Sequence, residues 1–287
     1  MNNETKEAVA ELVDAVSDAA GEVVRHKWIR RLSRFGFYSK GLLFIIIGAI
    51  ALMVVAGVHG AKMVDQRGAL AALAEEPYGR VFLIIFVVGA AAHGLWNILR
   101  AIVDIDNLGR HWFSIFKRCI AAMIGIFYMG LGLSAAEIIV AAKVDLGSSQ
   151  AEETFVSVLL MIPVFGALWA VIIGIGLVGA GFNEIYSGLS GRFRDTYRRL
   201  SLESRHDRSI QALGVLSYSV RAVLLAVMGY FFIKAPFDSH PGPIGLDAAL
   251  LALLRTGFGR TMVAIAGAGL IAHGLLAFFE ARYRRLW

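Results

Sequence analysis

Six apolar runs alternate with polar links along the chain, at roughly 37–58, 80–99, 119–142, 164–183, 213–233 and 260–279. Each approaches the ~20 residues that a helix needs to cross a bilayer. The pattern predicts an all-α membrane protein with six transmembrane helices. The runs come in pairs, and the pairs repeat. Gly79, Gly89 and Gly94 recur as Gly166, Gly176 and Gly181, and again as Gly259, Gly269 and Gly274; Tyr78, Phe165 and Phe258 precede the three frames. A three-point frame kept at one spacing in three copies predicts one unit used three times.

The first runs of the units align as well. Lys40-Gly41 and Gly48 correspond to Ile124-Gly125 and Gly132, and to Arg221-Ala222 and Gly229. Each unit is therefore a hairpin of two spans entering from the same side, and the three hairpins are parallel repeats related by rotation about the membrane normal. The expected boundaries are 31–106, 107–190 and 209–287, with a leading segment 1–30 and a link 191–208. The glycines read as packing notches, since small residues let helices approach where no hydrophobic force separates protein from lipid.

The stretches between spans add detail. RGALAALAEEPYG, the segment 152–162 and DAALLALLRTGFG carry short amphipathic patterns that predict interfacial helices ahead of each second span. Residues 1–24 set Glu4, Glu7, Glu11, Asp14, Asp18 and Glu22 on one helical stripe with valines opposite. That acidic stripe suits neither a signal peptide nor an anionic lipid surface. It suits a surface helix or a protein partner, and the arginine-rich link 191–208 is the other candidate partner segment.

Composition strengthens this picture. The 287 residues are 57% hydrophobic and 17% charged, with mean hydropathy +0.66, against about a quarter charged in soluble domains. The net charge of +6 invites a nucleic-acid reading, but 21 of the 28 Lys and Arg fall at the termini and inter-hairpin links and only 7 in the remaining segments. Excess Lys and Arg mark the cytoplasmic side, so both termini are expected there and nucleic acid is not expected as a partner. The single cysteine, Cys119, rules out an intrachain disulfide. No P-loop, Rossmann fingerprint, HExxH or CxxC pattern occurs, so no catalytic residue and no metal set are assigned and the expectation is a non-enzymatic protein.

The stretches RFGFYSKGLLFIIIG, RGALAALAEEPYGRVFL and HGLWNILR, with the closing EARYRR, resemble the bacterial membrane family known as domain of unknown function 1206. The resemblance covers nearly all of the chain after residue 30. It implies a six-span, multi-pass protein of the bacterial inner membrane and transfers no activity or site. An aromatic residue is common in that family where this chain carries His93, which makes a histidine-based role a subgroup property.

Ionisable groups within spans are costly and point to function by default. Repeat symmetry pairs His93 with His273 and Lys40 with Arg221, while the middle unit carries Ala180 and Ile124 instead. In an antiparallel hairpin the cation and the histidine reach similar depth. Several readings fit these four residues. The cations can snorkel to headgroups while the histidines bond neighbouring carbonyls. The set can bind or transport a small anionic ligand or a lipid headgroup at a cytoplasmic-leaflet site between hairpins one and three. The histidines can serve a proton- or ion-coupled path, or ligate a b-type haem through His93 and His273. A structural or assembly subunit acting through its cytoplasmic segments is the alternative outside the membrane. Glu137, Glu184 and Glu280 fall near span ends and read as interfacial or salt-bridged carboxylates, and the tryptophans read as interface anchors.

Overall fold

The structure, a computed structural model, describes residues 27–103, 112–140, 165–193, 207–238 and 245–283. The acidic stripe 1–24, the helix expected at 152–162 and most of the basic link 191–208 lie outside the described residues. Those residues form eight α-helices: α1 (Lys27–Val55), α2 (Gln66–Ala74), α3 (Gly79–Val103), α4 (Trp112–Val140), α5 (Phe165–Ser190), α6 (Asp207–Lys234), α7 (Leu246–Leu254) and α8 (Gly259–Tyr283). Six are long and apolar enough to span a bilayer, over Arg34–Val55, Gly79–Ile102, Lys117–Val140, Gly166–Ser190, Ile210–Phe237 and Gly259–Arg282. The chain is an all-α, multi-pass membrane protein.

The spans stand in a row whose order is α4, α3, α1, α8, α6, α5. The tightest seams join spans of different hairpins: α1 with α8, α3 with α4, α5 with α6. Glycine makes each of these possible. A Cβ added at Gly41 would stand 2.6 Å from the carbonyl oxygen of Gly274, and one at Gly48 2.5 Å from that of Gly267. In the equivalent seams Gly125 meets the Gly94 oxygen at 2.8 Å, and Gly229 meets the Gly174 oxygen at 2.7 Å. The contacts recur every seven residues along antiparallel helices, two turns at ~1.5 Å rise per residue, so one small-residue stripe sets the whole interface.

Contacts within hairpins are looser and unequal. In hairpin one Gly89 of α3 lies against Ser39 of α1, and in hairpin three Gly269 of α8 lies against Val220 of α6. The middle hairpin departs from the three equal copies that its glycine frame predicts. Its spans α4 and α5 lie apart, sharing no more than marginal contact, and a Cβ at Gly176 would meet nothing within 4 Å.

The two short connector helices are present and do more than rest at an interface. Asp65 caps α2, accepting a hydrogen bond from the Gly68 amide at 2.7 Å. Ala69 and Leu70 of α2, and Ala249 and Leu250 of α7, are fully buried in the core shared with the spans. Each connector helix thus closes the end of the bundle opposite the termini. From each, a tight turn re-enters the bundle at Gly79 or Gly259, where any side chain would collide with the carbonyl of Leu73 or Leu254.

Candidate functional site

His273 lies in the half of α8 nearest the termini, 7% exposed. Its Nδ1 shares a 3.1 Å hydrogen bond with the Ser217 hydroxyl of α6. Its ring meets the edge of Phe44 of α1 at a centroid distance of 4.7 Å. Nε2 makes no hydrogen bond among the described residues. Both Arg221 and Lys40 are close enough to act electrostatically on this ring. The structure therefore gathers three of the four predicted residues, one each from α1, α6 and α8, at one depth.

His93 is packed separately, 3% exposed. Phe37 and Tyr128 flank its ring edge-to-face at 5.0 and 4.5 Å. The position opposite it in α1 is Gly36, where a Cβ would lie 2.7 Å from the His93 backbone nitrogen. Gly36 is the repeat equivalent of Ser217. The two histidines thus occupy matching places with different neighbours: one sits against a backbone notch, the other against a hydroxyl. Each ring meets aromatic edges from its own surroundings.

Arg221 is the partner of Glu184, which the sequence reads as an interfacial or salt-bridged carboxylate without naming the cation. Its guanidinium lies 3.0 Å from the Glu184 carboxylate of α5, with the two side chains 28% and 16% exposed. Glu184 was expected near a span end, but α5 continues to Ser190, which places the carboxylate inside the span. A readable signal existed. Gly181 and Ala222 meet in the α5–α6 seam, and Glu184 and Arg221 flank that contact on adjoining positions. Arg221 also acts electrostatically on Tyr128 of α4. Lys40, Arg221 and Glu184 bring charges of both signs to this setting, where low dielectric strengthens each charge.

Other expectations resolve simply. Glu137 pairs with Arg67 of α2 at 3.5 Å on the exposed side opposite the termini. Trp169 is 52% exposed on the lipid face, whereas Trp96 is only 3% exposed and packs with Phe37 and Ala281. Trp96 is thus a core residue, because α1, α3 and α8 meet around it. Arg118 of α4 donates from Nε and Nη2 to the carbonyls of Ala101 and Ile102, each at 2.6 Å. A cation there satisfies the open end of α3 and complements its dipole.

A family model described as Domain of Unknown Function (DUF1206) matches residues 35–104 and 216–284. Each match spans one hairpin with its connector helix, and both exclude the middle hairpin. The chain is also similar to a protein of Bacillus subtilis (strain 168) named Uncharacterized protein YxxB, with 26% identity over 260 residues, covering 90% of this chain and 92% of that one. No solved structure matches.

Proposed function

We propose that the chain, which belongs to the DUF1206 family, binds a small anionic group or lipid headgroup between hairpins one and three without catalysing a reaction on it. The observation that carries this reading is the convergence on His273. A buried imidazole has one nitrogen held by Ser217 and the other without a hydrogen bond, with Arg221 and Lys40 acting on the ring. A protonated Nε2 donates to an acceptor and the two cations favour an anion, the donor set that a phosphodiester or carboxylate requires. Glu184 offsets part of the charge that Arg221 brings. By the excess of Lys and Arg at the termini and links, the site belongs to the cytoplasmic leaflet of the bacterial inner membrane.

Thermal unfolding of the detergent-purified protein tests the reading, because a ligand that binds only the folded state stabilises it by mass action. Lysophosphatidylglycerol should raise the midpoint more than zwitterionic lysophosphatidylcholine of the same chain length. The paired substitution R221Q/E184Q removes the charges while keeping shape, and should abolish that preference. Equal shifts from both lipids in the unaltered protein would rule the anion site out.

A further inference from the structure

We infer that the site proposed above, on which this reading rests, is closed toward the termini by a displaceable plug, Phe193. The plug adds a control on access to the His273–Ser217 pair.

Three residues that follow α5 build it. The helix ends at Ser190, and Gly191 takes φ +68°, a left-handed conformation that glycine adopts without strain and that turns a chain out of a helix. Arg192 then sets its guanidinium over Tyr186 of α5, 5.5 Å from the ring centroid. Phe193 comes next and enters the bundle, 4% exposed. It packs with Ile210 of α6 and Leu276 of α8, and it stacks on Tyr218 at 5.3 Å with the rings 28° apart. Gly214 makes room for the ring, since any Cβ there would collide with it. The repeat equivalents of Gly214 are Ser33 and Lys117, so only the third hairpin carries glycine at this place.

Helix geometry sets the plug against the site. Ile210, Gly214, Ser217 and Arg221 follow one another at steps of four, three and four, which puts them on one face of α6. The first two seat Phe193; Ser217 holds the His273 Nδ1, and Arg221 holds the Glu184 carboxylate. On α8, Leu276 stands about one turn from His273. Phe193 therefore lies one turn nearer the termini than the site along both helices. A second aromatic cluster closes the same end between α1, α3 and α8, formed by Phe37, Trp96 and Ala281. Those three residues belong to spans and move only with them. Phe193 lies beyond its span, past a glycine, and can withdraw while the six helices stay packed. Exposing one phenylalanine is unfavourable, so the closed state dominates, but by a margin that ligand binding can overcome.

Thiol labelling of the full-length protein tests the plug. Ser217→Cys in a Cys119→Ser background places a thiol beneath Phe193, and the probe is methanethiosulfonate ethylsulfonate, a water-soluble anion. Labelling should be slow with Phe193 in place and at least about tenfold faster with Phe193→Ala, the scale set by one buried phenylalanine. Gly214→Ala pushes the ring out of its seat without deleting it, and should speed labelling in the same way even if Phe193→Ala fails to fold. Ser39→Cys in the same background, buried between α1 and α3, reports general loosening and should react at one rate with and without Phe193. Fast labelling of Ser217→Cys with Phe193 intact overturns the plug. So does an unchanged rate in both plug variants, or an equal rise at Ser39→Cys. The lysophosphatidylglycerol preference in thermal unfolding reads the anion site separately. Its absence alongside plug-dependent labelling removes the anion and keeps the plug; its presence alongside plug-independent labelling does the reverse.

Discussion

Hairpins one and three close on themselves, and hairpin two does not. All three carry the same glycine frame, and all three join the next hairpin through a small-residue seam. The difference lies in what faces Gly89, Gly176 and Gly269. Ser39 and Val220 are compact and fit beneath their glycines, whereas the equivalent residue in hairpin two, Met123, is 63% exposed. A glycine permits close approach but attracts nothing by itself. The partner residue decides whether a notch becomes a contact. The hairpin that lost its seam is also the one that lost its histidine and its cation and that falls outside the family matches.

The comparison can be broken most severely at the inter-hairpin seams. Gly274→Leu drives a side chain into the Gly41 carbonyl, which neither backbone can yield, and should prevent a folded, monodisperse protein. Gly176→Leu adds the same bulk in open space and should leave the unfolding midpoint unchanged. Size-exclusion profiles and thermal melts of the two variants read the contrast, and equal damage from both would show that hairpin two is closed. A middle-sized effect is expected at the ion pair. Arg221→Gln leaves Glu184 in the bundle without its partner and should destabilise by on the order of 2 kcal/mol, with Glu184→Gln in addition restoring much of the loss in a double-mutant cycle. A smaller step follows at Ser217→Ala, which makes hairpin three more like hairpin one at this place. Removing the His273 bond should cost about 1 kcal/mol in denaturant or thermal unfolding and lower the preference for lysophosphatidylglycerol. The smallest effect belongs to Arg67→Gln, whose partner Glu137 is 67% exposed. That surface pair should contribute under about 1 kcal/mol, and less as salt is raised.

Much of this architecture was legible before the structure. Six spans, their pairing and their side-by-side repetition follow from apolar runs and from one glycine frame. The gathering of Lys40, Arg221 and His273 followed from equivalence between units. What the residues could not disclose is which neighbour each glycine meets. Gly94, Gly181 and Gly274 serve the seams between hairpins, while Gly89 and Gly269 serve those within them, and nothing in a glycine distinguishes the two. The partner of Glu184 was hidden for the same reason. Glu184 looks like a span-end carboxylate until the α5–α6 seam sets it beside Arg221, a pairing across hairpins rather than within one. Trp96 misled as well, because burial among three helices depends on their arrangement and not on distance from a span boundary.

The strongest seam of the first span is with the last. During synthesis α1 is made long before α8, and with α8 absent Gly41 and Gly48 have only lipid to face. Membrane insertion can place each hairpin in turn and the α3–α4 and α5–α6 seams can close as it does, but the α1–α8 seam waits for the 25 residues of α8. The central seam is accordingly a late one, and a chain without α8 should leave Gly41 and Gly48 facing lipid.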